Sequence, residues 1–150
     1  MGDNSTKALA DALNGLLADY YALYLKTKNF HWHVGGPHFR EYHLLFDEQA
    51  GELIATTDLG AERVRKIGQS TLTSIGSIAA RQSIKDEDTH PEASKMIEEL
   101  RDDNRTLVKA LKAAKELAEE AGDNATDGLI DDWTDQAEQR AWFLDATLSR

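Results

Sequence analysis

The sequence predicts an all-α fold: four long helices packed as a bundle, with one long crossover between the second and the third. Three observations carry this. Apolar residues recur at alternating steps of three and four along most of the 150 residues. Glycines close the periodic stretches, at Gly35-Gly36, Gly68 and Gly122. Two of the three connections are tight turns, whereas the remaining one runs for about twenty residues, Gln69 to Asp88, too long for a plain turn.

The first helix is expected over about residues 6–34. Leu9, Leu13, Leu16, Tyr20, Leu23, Thr27, Phe30 and Val34 mark one face of it. Gly35-Gly36 stops it, and Pro37 suits the first turn of a second helix over about 38–67. That helix carries Phe39, Tyr42, Phe46, Ala50, Leu53, Val64 and Ile67. Within the crossover, residues 74–84 have the pattern of a short helix that sets Ile75, Ile78 and Ala79 against the core. The third long helix, about 91–121, is expected to begin at a capping box, Thr89-His90-Pro91-Glu92. Its stripe is Ala93, Ile97, Leu100, Leu107, Leu111, Ala114, Ala118 and Ala121. The fourth, about 124–148, uses Ile130, Trp133, Ala137, Ala141, Leu144 and Leu148. Short turns make each flanking pair antiparallel, so residues 1–150 read as a single ferritin-like four-helix domain.

Seventeen Lys and Arg against 27 Asp and Glu give a formal net charge of -10. Such a surface repels nucleic acid and anionic membrane and favours cations. The absence of cysteine excludes disulfides, thiolate metal sites and cysteine nucleophiles. Residues 1–17 lack the basic start and continuous apolar run of a secretion signal, and no stretch is apolar enough to span a bilayer. A soluble cytoplasmic protein is expected.

Four of the five histidines, His31, His33, His38 and His43, fall within thirteen residues. Histidine is the commonest metal-binding side chain. On the second helix, with His43 as zero, the helix period places Asp47 at roughly 40 degrees, Asp58 at about 60 and Glu62 at about 100. Gly51 and Ile54 share that side, which is unusual for a solvated charged face. Helix-interior glycine is costly, so close backbone approach is a reasonable purpose for Gly51. His43 and Asp58 are about 22 Å apart along the helix, whereas a ligand atom lies about 2 Å from its metal. One helix therefore cannot offer both to one ion. His31 can join His43, because the two sit on facing helices at similar distances from the turn. Asp58 and Glu62 bind elsewhere or meet the histidines of another chain. A two-fold axis near Glu52 and Leu53 would give the second arrangement, with two identical sites per dimer.

Two imidazoles with carboxylates suit Fe(II), and zinc is the chemical alternative. The zinc-protease pattern H-E-x-x-H is absent. A single-chain di-iron bundle would need two E-x-x-H motifs, and the lone instance, Glu87-Asp88-Thr89-His90, straddles a helix start. No hydrolase elbow or glycine-rich phosphate loop is present.

The stretch Asn29 to Gly68, with Asn29-Phe30-His31-Trp32-His33-Val34-Gly35-Gly36-Pro37-His38-Phe39 followed by His43, Asp47, Asp58 and Glu62, strongly resembles the Dps family of mini-ferritins. The whole chain matches that family in length and helix order. The resemblance implies that His31 and His43 are ferroxidase histidines of one subunit. Asp58 and Glu62 would then be carboxylates supplied by its two-fold neighbour, and Asp47 a supporting acid. Trp32 would stand beside the site and intercept radical by-products. The family further implies a hollow homo-dodecamer, ferrous iron oxidised preferentially by hydrogen peroxide, a ferric mineral stored inside, and protection from oxidative damage. Asp123, Asp127 and Asp131 recur every four residues at the start of the fourth helix. Helix-start preference explains the first two acids more easily than the third, and the resemblance suggests a carboxylate ring around a three-fold iron-entry pore. His33 and His38, near the turn, are expected to be solvent or supporting groups. DNA-binding members often use lysine-rich tails, whereas residues 1–5 contain no Lys or Arg and only Ser149 and Arg150 follow Leu148. That argues against DNA binding. A DNA-condensing protein and a non-catalytic metal-buffering bundle stand as the alternatives.

Overall fold

The computed structural model describes residues 3–148; the outermost positions of both expected tails, Met1, Gly2, Ser149 and Arg150, lie outside the described residues. Five helices follow in order: α1 (Asp3–His33), α2 (Phe39–Lys66), α3 (Ile75–Arg81), α4 (Ala93–Glu120) and α5 (Asn124–Leu148). The fold is all-α, as the sequence predicts, and among the described residues there is no strand. No helix there is long and apolar enough to cross a membrane. The helix ends are chemically legible. Gly36, Gly68 and Gly122 take φ of 104°, 84° and 68°, the left-handed backbone that an L side chain resists and that ends a helix cleanly.

α1 and α2 pack antiparallel, with Phe30 against Phe46 near the turn (ring centroids 6.5 Å apart) and Leu17 beside Gly60 further down. α4 and α5 do the same, with Arg101 paired to Asp145 and Lys115 to Asp131. All eight residues of the Leu9-to-Val34 stripe are buried, as are the central residues of the other three stripes. A buried cation crosses this core. Arg140, 1 % exposed, donates from Nε to Asn104 Oδ1 at 2.7 Å and from Nη1 to Glu52 Oε1 at 3.1 Å. Its carbonyl accepts from Gln49, and its guanidinium lies 5.9 Å from the Tyr20 ring. One residue of α5 thereby touches all three other long helices.

Polar residues of α1 hold the crossover. Asn14 donates to the Ser70 carbonyl and accepts from Thr71. Asp19 accepts from the Ser83 amide and hydroxyl, both at 2.6 Å, and from the Ile84 amide at 2.9 Å. Lys26 donates to the Lys85 carbonyl, and Asn29 to the carbonyls of Glu87 and Thr89. Contact positions rise together along both segments, so the crossover climbs α1 and delivers the start of α4 to the end where α1 stops. Lys26 also lies 2.9 Å from Asp103 and 3.4 Å from Glu99. Burial nevertheless pushes the Asp103 carboxyl above its ordinary value, outweighing the pull of Lys26. Asp19→Ala is expected to cost about 3 kcal/mol, because two backbone amides and a hydroxyl lose a charged acceptor. Hydrogen exchange checks this: the Ser83 and Ile84 amides should lose protection, while the centre of α1 keeps its own.

Three local expectations need correction. The capping box is not at α4, whose N-cap Glu92 makes no side-chain cap. Thr89 instead gives its hydroxyl to Glu87, and His90, preceding Pro91, is biased away from helical backbone. The box occurs at α3, where Ser74 and Ser77 exchange side-chain bonds with each other's amides. α3 itself fully buries no residue: Ile78 is half-buried, but Ile75 is 81 % exposed and Ala79 exposed. The crossover's apolar anchor is Ile84, 3 % exposed, because Asp19 fastens the chain there. Phe39 is also outside the core, its ring lying 5.0 Å from His43.

Candidate metal centre

The turn between α1 and α2 brings His31 and His43 face to face. Their rings are nearly parallel, 13° apart in plane, with centroids 3.9 Å apart. Each Nδ1 lies 2.7 Å from the other residue's backbone carbonyl. A carbonyl oxygen only accepts, so each Nδ1 donates, and the neutral imidazole then keeps its lone pair on Nε2. This is the orientation that backbone carbonyls impose on metal-ligating histidines. His31 is buried, and His43 is half-buried between His31 and Phe39.

Asp47, one turn beyond His43, completes the local group. Its Oδ1 lies 3.7 Å from His31 Nε2 and 3.0 Å from Lys28 Nζ. The Lys28 hydrogen bond holds the Asp47 carboxyl below its ordinary value, and both histidines act in the same direction. Lys28 is a member of this group that the sequence reading does not reach. Its spacing from His31, three residues, is the available signal, since that step shares a helix face. The ammonium competes with any cation for Asp47. Lys28→Met is therefore expected to tighten cobalt(II) binding by about fivefold, the usual ceiling for one exposed ion pair. Cobalt ligand-field absorbance measures this without redox chemistry, and unchanged affinity would count against the competition.

Trp32 is 58 % exposed, its ring 5.9 Å from Lys28 Nζ. Asp58 and Glu62 lie on the exposed side of α2, and neither forms an ion pair among the described residues. The chain does not bring them to the histidines: no three of its described His, Asp and Glu side chains gather as a metal-holding group. Gly51 and Ile54 lie between the two sets, with open space where a Gly51 Cβ would stand and Ile54 37 % exposed.

At the start of α5 the three aspartates have two local uses. Asp123 accepts from the Thr126 amide at 3.0 Å and from the Thr126 hydroxyl, which caps the helix. Asp127 and Asp131 both hold Lys115 of α4, which is raised above the usual lysine value first by Asp127 and then by Asp131. His38 pairs with Glu41 in solvent. His33 is exposed and stacks on His90.

Comparison with known proteins gives one answer. A family model described as a ferritin-like domain matches residues 10–150. The DNA protection during starvation protein of Brevibacillus brevis is 36 % identical over 140 residues, covering 93 % of this chain and 94 % of that one. A crystal structure of a Dps protein from Bacillus brevis superposes with a TM-score of 0.95 at 34 % identity, covering 99 % of this chain and all of that one. The Dps protein of Vibrio cholerae, described as a member of a broad superfamily of ferritin-like diiron-carboxylate proteins, gives 0.93 at 30 % identity over 97 % of this chain and 92 % of that one. With five helices in this order and a matching domain over nearly its full length, the chain belongs to the Dps family of ferritin-like proteins.

Proposed function

We propose that this protein is a ferroxidase and iron store, taking ferrous iron as substrate at a site shared between two copies of the chain. The observation that carries the reading is the reciprocal bracing of His31 and His43, which leaves two Nε2 lone pairs available beside Asp47. Imidazole suits Fe(II), and carboxylate suits the Fe(III) product, so the mixed donor set serves both the substrate and the oxidised ion. The diiron-carboxylate description of the Vibrio cholerae relative points to the same chemistry.

Asp58 and Glu62 of a two-fold neighbour supply the remaining oxygens in this reading. Three features support that. Both acids are exposed, without ion pairs among the described residues. Helix rise separates His43 and Asp58 by about 22 Å. The strip between them, with Gly51 open and Ile54 half-exposed, has the small and apolar character of a helix contact. Twelve subunits in a hollow shell, with a ferric mineral inside, extend the reading by family resemblance. Hydrogen peroxide is the proposed oxidant. It takes one electron from each of two ferrous ions and, with two protons, leaves as two waters. Trp32, exposed one residue from His31, is the proposed interceptor of radicals when that transfer is incomplete. Asp123, Asp127 and Asp131 are proposed as entry-pore acids, with Lys115 offsetting part of their charge.

Complementation tests the shared site. An Asp58→Ala/Glu62→Ala protein and a His31→Ala/His43→Ala protein are each expected to be inactive as ferroxidases. Dissociated, mixed and reassembled, they should regain roughly a quarter of the sites at equal ratios, since a random two-fold pair is mixed half the time and then rebuilds one site of two. Reassembly into mixed oligomers by mass, with no recovered oxidation, would sink the shared site. The protective role in the Brevibacillus brevis relative's name carries over here through iron and peroxide removal; the -10 charge disfavours a DNA-coating mechanism.

A further inference from the structure

We propose that His33 and His90 form a second cation site, separate from the His31–His43 pair, that takes a late first-row divalent ion such as Zn(II) or Cu(II). His33 lies two residues from His31, about 200 degrees around the helix, so it faces away from the first pair. Its ring stacks on His90 with planes 13° apart and centroids 4.8 Å apart. His90 belongs to the segment just before α4 and is 57 positions away in sequence, so the contact is made by the fold.

The pair has its own support. His33 Nδ1 lies 2.9 Å from the Asn29 carbonyl and 2.7 Å from Asn29 Oδ1. The carbonyl only accepts, so Nδ1 is the donor and the neutral ring carries its lone pair on Nε2. Asn29 Nδ2 in turn donates to the carbonyls of Glu87 and Thr89. One asparagine therefore orients the His33 ring and fastens the segment that carries His90 beside it. This is the outer support that ligating histidines characteristically have. Among the described residues His90 makes no side-chain hydrogen bond, so no partner fixes its tautomer and either nitrogen can present the lone pair to a ligand.

Two imidazoles bind one ion when their nitrogens come within about 4.2 Å, twice the metal–nitrogen distance. The ring centroids are 4.8 Å apart and both residues are exposed, so the side chains are near enough and free enough to rotate out of the stack and turn a nitrogen each toward one ion. Solvent fills the remaining positions. Such a nitrogen pair follows the Irving–Williams order, in which copper and zinc rank above ferrous iron. Glu87, Asp88 and Glu92 flank His90 and add attraction for a cation. The site is thus suited to hold competing metals away from the ferrous substrate. That role rests on the ferroxidase reading, whereas binding at the site does not.

Zinc titration of the iron-free, assembled protein tests it by calorimetry. The starting protein carries His31→Ala and His43→Ala, which removes the first pair. Adding His33→Asn and His90→Asn is expected to lower zinc binding by one equivalent per chain. Native mass and circular dichroism should stay unchanged, since both positions are exposed. His90→Gln alone should weaken the same equivalent by about tenfold or more, the effect of losing one of two ligands. An identical zinc stoichiometry and affinity with and without the two histidines would overturn the proposal.

Discussion

Converting His31 and His43 together to alanine is expected to lower the initial rate of ferrous-ion oxidation by about 100-fold or more. Loss of supporting groups alone commonly costs 10–100-fold, and this change removes two nitrogen donors outright. The rings contribute little to the core, because both lie at the end of the α1–α2 pair and His43 is only half-buried. Native mass should therefore be retained. A kinetic assay of Fe(II) with peroxide, run beside mass measurement, separates lost chemistry from lost assembly. Oxidation at the wild-type rate by a correctly assembled double variant would remove these histidines from the reaction.

Arg140→Met is expected to be strongly destabilising. It would strand the buried Asn104 oxygen and deprive Glu52 of its partner. Breaking a buried pair by removing one member costs about 3–5 kcal/mol. Glu52 reaches solvent on one side, which places the expected loss near about 3 kcal/mol. For a chain of this size that corresponds to a fall of about 6–12 °C in thermal midpoint. Calorimetry of the assembled protein measures it. A shift of less than about 2 °C would mean that methionine packing compensates for the lost hydrogen bonds.

The bundle is legible in the sequence because its signals are repetitive. The Leu9-to-Val34 stripe, the glycine stops and the unequal connection lengths each depend on many residues, so no single misreading alters the topology. The His31–His43 pair is legible for a related reason: distance from a tight turn fixes which residues of two antiparallel helices face each other. Arg140 is not, because its partners come from three other helices and no local period encodes that convergence. Lys28 has the pattern of a surface lysine until the turn places Asp47 beside it. The polar rail on α1 is partly visible: Asn14, Asp19, Lys26 and Asn29 fall within about 140 degrees of arc, next to the apolar stripe. Their partners, mostly crossover carbonyls and amides, have no side-chain signature. The misplaced capping box shows the limit of local motifs, since Thr89 has a competing acceptor two residues away.

The paired bonds between His31 and His43 also make the two proposed ligands independently removable. Each ring is steered by the other residue's main chain, which survives any substitution, and neither depends on the other's side chain for its hydrogen bond. A single histidine can therefore be lost while its neighbour remains aimed.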